Sequence, residues 1–234
     1  MRVALHAEWT KQRTVAGTAW LLLGIVVCTV GMSALAATAG GPDPAKVGLA
    51  GVVLGQAVVA VLAVGSVGGE YGTGMIRVTL AAVPRRWVVL CAKGTVVAGL
   101  TLAAGTLAVL GSVAAAGLSL DGPVLRAAVG SVLYLGLVAL LSLGVAVLVR
   151  DAASAIGVVL GLLYLFPIVA ALVSDPDWFR RLQQIAPMTA GLAVQATVDV
   201  ASQPLAPWAG LGVLAAWAAG ALLVGGTALR LRDA

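Results

Sequence analysis

Apolar residues run through this chain in long unbroken stretches, with polar ones gathered between them. A helix that crosses a bilayer needs roughly 20 consecutive, mostly apolar residues. Six segments qualify, over 15–37, 47–68, 94–118, 124–149, 152–173 and 207–229. Charges or turn residues bound each, as in Gly40-Gly41-Pro42 and Asp121-Gly122-Pro123. Runs of this length argue against a β-barrel, whose strands alternate apolar and polar over about 10 residues. The first run follows a basic leader and ends near Ala34-Leu35-Ala36, like a signal peptide. Its apolar core of roughly 23 residues exceeds the 7–15 of a signal, so it reads as a retained span. The pattern predicts an all-α integral membrane protein, with residues 1–234 forming a single transmembrane domain.

Two further segments have a weaker pattern. Leu5 and Trp9 lie one turn apart in 2–14, with Arg2, Glu8, Lys11 and Arg13 around them. At helical spacing this predicts an N-terminal amphipathic helix lying on the membrane surface; the alternative is a disordered basic leader. Residues 174–206 are too long for a turn. They predict two short helices, 178–185 and 189–198, split by Pro187.

Composition removes the soluble alternative. Hydrophobic residues make up 61% of the 234 and charged residues 10%, against about 25% charged in a typical soluble domain. The net charge of +5 then reads as topology rather than nucleic-acid binding. Six spans put both termini on one side. That side holds Arg2, Lys11, Arg13, Arg77, Arg85, Arg86, Lys93, Arg150, Arg230 and Arg232, and the other holds Lys46, Arg126, Arg180 and Arg181. Ten basic residues against four predict cytoplasmic termini and an extracellular 174–206. The abundance of Ala, Gly and Val suggests a GC-rich bacterial genome, hence a bacterial cytoplasmic membrane.

Several chemistries are missing. No Gly-x4-Gly-Lys-Ser/Thr loop is present, so the chain has no P-loop nucleotide site. There is no His-Glu-x2-His, and the two cysteines, Cys28 and Cys91, stand far apart in apolar runs. No metal site and no catalytic residue is expected, and the chain reads as no enzyme. Ser112, Ser131, Ser142 and Ser154 have no histidine in the membrane to activate them. The six runs contain no carboxylate, which weighs against an ion-driven carrier. Gly51-x3-Gly55 and Gly157-x3-Gly161 permit close helix approach, though such pairs also arise by composition in a chain with 30 glycines. Gln56 is the most polar side chain in a run; it serves either an interhelical hydrogen bond or a substrate path. Pro167 is expected to kink the fifth span.

The densest charge in the apolar part of the chain lies at 68–93, "GGEYGTGMIRVTLAAVPRRWVVLCAK", which ends on Lys93. Gly72 and Gly74 permit a turn as the chain leaves the membrane at Glu70. A short helix is expected over 73–82, capped by Thr73, with Ile76 and Leu80 on one face and Arg77 beside them. Pro84 stops it. Arg85 and Arg86 are expected at headgroup level, with Trp87 as anchor and Lys93 opening the third span. Such a helix suits a docking partner, and equally a plain topology-fixing loop.

Glu70, Gly72-Thr73, Arg77, Leu80, Pro84-Arg85-Arg86 and Lys93 together resemble the segment after the second span in ABC-2 type transporter permeases. Arg85 departs from the small or apolar residue many relatives carry. The resemblance implies the membrane subunit of an ATP-binding cassette exporter. It implies six spans, an interfacial helix at 2–14, a cytoplasmic coupling helix at 73–82 and short extracellular helices between spans five and six. Implied partners are two ABC ATP-binding subunits, which hold the ATP and Mg, and a second permease subunit forming a homodimer or heterodimer. Membrane lipids surround the pair, and no nucleic acid is involved. Glu70, Thr73, Ile76, Arg77, Leu80, Pro84, Arg85 and Arg86 would couple to the ATPase, and Glu70 would pair with Lys11 or Arg13 or with the ATPase. Gln56, Tyr164, Phe166 and Pro167 would line the substrate path. An uncharged path suits a lipophilic or amphipathic cargo: a drug, an antibiotic peptide or a lipid, with antibiotic or multidrug resistance as one outcome. The alternatives are a non-transporting scaffold or immunity protein and an ion-driven secondary carrier.

Overall fold

The computed structural model describes residues 1–83, 85–200 and 203–232. Pro84 and Asp233 therefore lie outside the described residues. Among the described residues there are helices and loops and no strand. The helices are α1 Arg2–Thr14, α2 Ala16–Ala39, α3 Pro44–Gly48, α4 Val52–Gly72, α5 Met75–Ala82, α6 Arg86–Ala115, α7 Gly122–Val149, α8 Ala152–Leu160, α9 Phe166–Ala171, α10 Pro176–Ile185, α11 Pro187–Leu192 and α12 Pro207–Arg232. A π-helical turn, Gly161–Leu165, joins α8 to α9. Six stretches are long and apolar enough to cross a membrane: Ala16–Ala39, Pro44–Gly72, Arg86–Ala115, Gly122–Val149, Ala152–Ala171 and Pro207–Leu231. This is the architecture of a multi-pass membrane protein.

Local sequence starts these helices in a uniform way. Asp43, Asp121, Asp151 and Asp175 each stand at an N-cap, and their carboxylates accept first-turn backbone N–H groups. Proline follows within the first turn of α3, α7 and α10, where its missing N–H costs nothing. Gly74 holds a left-handed φ of 72° between α4 and α5, a conformation that favours glycine.

The bundle is built around α4 and α7, whose spans are 61% and 67% buried. Helix α4 packs against α2, α7 and α8, α7 also against α6, α8 and α12, and α2 lies along both α4 and α6. The Gly51-x3-Gly55 pair is a packing device rather than an accident of composition. A Cβ on Gly51 would meet the Thr29 carbonyl oxygen at 1.9 Å, and one on Gly55 the Thr29 Oγ1 at 2.1 Å. The backbones of α2 and α4 approach that closely only because both positions lack a side chain. Gly157 and Gly161 have nothing within 4 Å of such a Cβ, so that pair does no packing within the chain.

Four boundaries differ from the sequence expectation. The second span opens with α3, breaks at 49–51 and runs on to Gly72, which places Glu70 inside the helix. The third span starts at Arg86 rather than 94, so Lys93 lies two turns inside it. The cause is the same for both: the two side chains are buried against opposite charges and need no headgroup layer to hold them. Helix α5 starts at Met75 with Gly74 as its N-cap, and Thr73 is instead the C-cap of α4; its hydroxyl donates to the Gly69 carbonyl of that helix. The second of the short helices begins at Pro187 and gives way to a 3-10 turn at Ala193–Gln195 rather than reaching 198. Pro167 stands in the first turn of α9, directly after the π-helical turn, which absorbs the backbone bond that proline cannot make.

Candidate functional site: a charged seam at one end of the bundle

The chain contains two glutamates and three lysines. Both glutamates and two of the lysines meet at one point. Helix α1 lies across the start of α6 and the end of α4, and carries Glu8 and Lys11 on its inward face. Lys93 Nζ, deep in α6, donates to Glu8 Oε2 at 2.8 Å, to Glu70 Oε1 at 2.7 Å and to the Ser66 carbonyl at 3.3 Å. Lys11 Nζ donates to Glu8 Oε1 at 3.2 Å, to Glu70 Oε1 at 2.8 Å and to Thr79 Oγ1 at 3.3 Å. Each ammonium thus uses all three of its N–H bonds, and two positive charges balance two negative ones.

Burial makes this arrangement demanding. Glu8, Glu70 and Lys93 are 3%, 5% and 3% exposed, and an ion at such a depth is tolerated only when it is paired and hydrogen-bonded. Lys11 is at the rim. Burial works against its charged form, but the hydrogen bond to Glu70 and the attraction of Glu8 and Glu70 outweigh it and hold Lys11 above its ordinary pKa. Glu70 Oε2 is sealed from solvent with no hydrogen-bond partner among the described residues.

The seam is bolted to α5 through Thr79, which also donates back to Met75. Helix α5 carries its own division. Ile76 is buried and Leu80 packs half-buried against the bundle. Arg77 is exposed, with Met75 45% and Val78 68% exposed beside it. The face holding Ile76 and Leu80 is therefore taken up by the chain itself, and the free face holds Met75, Arg77 and Val78. In α1, Leu5 is half-buried, Trp9 is 47% exposed and Arg13 is exposed. The packed face of α1 is the charged Ala4–Glu8–Lys11 face rather than the Leu5–Trp9 pair, and it is Lys11, not Arg13, that reaches Glu70.

Arginines complete this end of the molecule. Arg86 Nη1 donates to the carbonyls of Leu229 and Arg230 at 2.5 and 2.9 Å, and Arg150 Nη2 to that of Ala228 at 3.2 Å. They satisfy carbonyls in the last turns of α12, where cations also complement the helix dipole. Arg85 is the exposed N-cap of α6.

The four residues expected on a substrate path are not at this site. Gln56 is fully buried, accepts from the Tyr134 hydroxyl and donates to Met188 Sδ at 3.3 Å. It fastens α4 to α7 and to α11, which is the interhelical role rather than a lining one. Tyr164 donates to the Val53 carbonyl, and Phe166 and Pro167 are half-buried beyond the π-helical turn. An open cavity of about 420 Å³ does border the seam, with Lys11, Thr18, Ser66 and Glu70 on its polar side and Leu21 and Leu62 on its apolar one.

The pairing of Glu8 with Lys93 was missed by sequence reasoning, which spread these charges over surfaces. The available signal was frequency: glutamate occurs twice, once beside each end of an apolar run. No protein-family model matches this chain, and no curated protein matches it.

Proposed function

We propose that the chain is the membrane-spanning subunit of an ATP-driven exporter, with ATP hydrolysed on a separate subunit. The observation that carries the reading is α5. It is a short helix at one end of the bundle, held from behind by Ile76, Leu80 and the Thr79–Lys11 hydrogen bond. It offers Met75, Arg77 and Val78 outward. A push on that helix reaches α1, α4 and α6 at once, because Lys11, Glu70 and Lys93 share carboxylate oxygens. In this reading α5 is a cytoplasmic coupling helix, α1 an interfacial helix, and α10 and α11 lie outside the cell. The abundance of arginine and lysine at the seam end supports that orientation.

Pairing with a second permease subunit is supported by the flanks of α4. The spans Ala16–Ala39 and Ala152–Ala171 are each 17% buried, although they stand beside the deeply packed α4. Cargo moving along that side would meet apolar walls, which suits a lipophilic or amphipathic molecule.

The test is a pull-down of the tagged chain co-expressed with the ATP-binding protein encoded beside it. Arg77→Glu and Val78→Asp alter the outward face of α5 and leave its packed face alone. Capture of an active ATPase by the wild type and its loss from the variants is the expected result. Capture of no ATPase by any of them overturns the reading. In the reconstituted complex, Glu70→Ala is expected to uncouple ATP hydrolysis from transport.

The seam also favours a second reading. Glu70 and Lys93 sit within spanning helices, where ionisable groups serve ion-driven carriers. That reading requires transport to stop when the ion gradient is collapsed and to continue when ATP is removed.

A further inference from the structure

A groove of about 380 Å³ runs between α6, α7 and α12. Trp87 forms its mouth, Cys91, Thr95 and Ala98 one wall, and Leu140 and Leu222 the other. The lining is almost wholly apolar: the Thr95 hydroxyl is turned back onto the Cys91 carbonyl at 2.8 Å, and the Cys91 thiol is a weakly polar group left free among the lining residues. From Trp87 to Ala98 the wall extends for eleven residues of helix, roughly 16 Å at 1.5 Å per residue. That is about half of the ~30 Å apolar core of a bilayer, the depth of a single acyl chain.

The mouth carries fixed positive charge. The Arg230 guanidinium lies over the Trp87 ring, 5.2 Å from its centre, as a cation on an aromatic face. Trp87 is itself keyed into α12, because a Cβ on Gly226 would meet its ring at 2.2 Å. Arg85 and Arg230 are both exposed at this end, while Arg86 is occupied with the α12 carbonyls.

We propose that this groove is a binding site for one anionic phospholipid. Its acyl chain lies between α6, α7 and α12, and its phosphate rests between Arg85 and Arg230 above Trp87. A neutral lipid fills the groove equally well but gains nothing from the arginines. Basic clusters where a spanning helix leaves the membrane select anionic headgroups by charge. The site is separate from the seam, and it does not depend on an ATPase partner.

The experiment uses the full chain in nanodiscs of equimolar phosphatidylglycerol and phosphatidylcholine, and native mass spectrometry reads the lipid retained. The wild type is expected to retain one phosphatidylglycerol with a preference of about tenfold or more over phosphatidylcholine. Arg85→Gln and Arg230→Gln are each expected to reduce that preference roughly fivefold. Ala98→Phe narrows the groove with both arginines intact, and is expected to abolish retention of either lipid. Circular dichroism and thermal unfolding confirm that each variant is folded. Equal retention of both lipids by the wild type overturns the proposal, because the groove is then solvated by bulk lipid only. Loss in the arginine variants with full retention by Ala98→Phe also overturns it, because the attraction is then a surface effect without a seat.

Discussion

The two ends of this bundle are fastened by opposite means. At one end four ionised side chains from α1, α4 and α6 share three carboxylate oxygens. At the other, a single carboxylate does the work: Asp43 accepts from Thr197 N at 2.7 Å, Thr197 Oγ1 at 2.6 Å, Val198 N at 3.0 Å and Lys46 N at 3.2 Å. Arg126 adds a bond to the Ala196 carbonyl, and Gln195 one to Ser131 Oγ at 2.9 Å. Backbone N–H groups have fixed directions, so Asp43 locks one loop against another in a single geometry. Ammonium groups on long stems can trade partners within the seam without any of the four charges becoming unpaired. The Asp43 end is suited to hold its shape, and the seam is suited to pass a displacement on.

Neutralising one side chain at each end tests the contrast, and the largest effect belongs to the seam. Lys93→Met leaves two buried carboxylates to Lys11 alone, and about 3–5 kcal/mol of stability should be lost. The measurement is thermal unfolding in detergent. Adding Glu8→Gln restores charge balance, so the double variant should be more stable than Lys93→Met alone. If the two losses simply add, the residues are not acting as one network.

Asp43→Ala comes next. It strips charged acceptors from three backbone N–H groups and a hydroxyl, and about 2–3 kcal/mol should be lost. Here pH is a second probe. Burial pushes the Asp43 carboxyl up, but the bonds from Thr197, Val198 and Lys46 outweigh it and hold the group below its ordinary pKa of 3.8. Its contribution is therefore complete above that value and fades as pH falls through the lower, folded value. Lys11 runs the other way. Its raised pKa means that its contribution is complete below 10.5 and fades as pH rises past that value. Acid should loosen the Asp43 end first and alkali the seam, and hydrogen exchange resolved along the chain distinguishes them. The smallest effect should come from Thr79→Val, which removes one bond from Lys11. About 0.5–1 kcal/mol is expected, with less force passed from α5 to α1.

The six spans were legible because length and hydropathy alone determine them, and the aspartate caps and prolines were legible because capping is local. Of the seam only the Glu70–Lys11 pair was expected, and Lys93 shows why the rest was not. An ionised residue is read as a marker of the membrane surface, since isolated charge is costly inside it. Here Glu8 comes from 85 residues away to meet it, and no pattern along the chain encodes that meeting. The same long-range pairing pulled the start of the third span back to Arg86. Gln56 was legible as a residue needing a partner, but the identity of Tyr134 was not, for the same reason. In α5 the spacing located a two-faced helix correctly. Which face the bundle would claim depended on where α5 folds back against α6 and the seam, and so Ile76 and Leu80 turned inward.

The turn Gly161–Leu165 has a further consequence. An extra residue is wound into the backbone there, and each residue advances a helix by roughly 100°. Everything after it, including the outward pair Ile168 and Val169, is therefore out of phase with α8. Ala155 and Val159 stay packed in the core whatever that phase is. A deletion of one residue in this turn would rotate the exposed surface of α9 like a dial and leave α8, the other half of the span, where it stands. Homologues that differ in length at this point can thus present different surfaces to their surroundings on an unchanged scaffold.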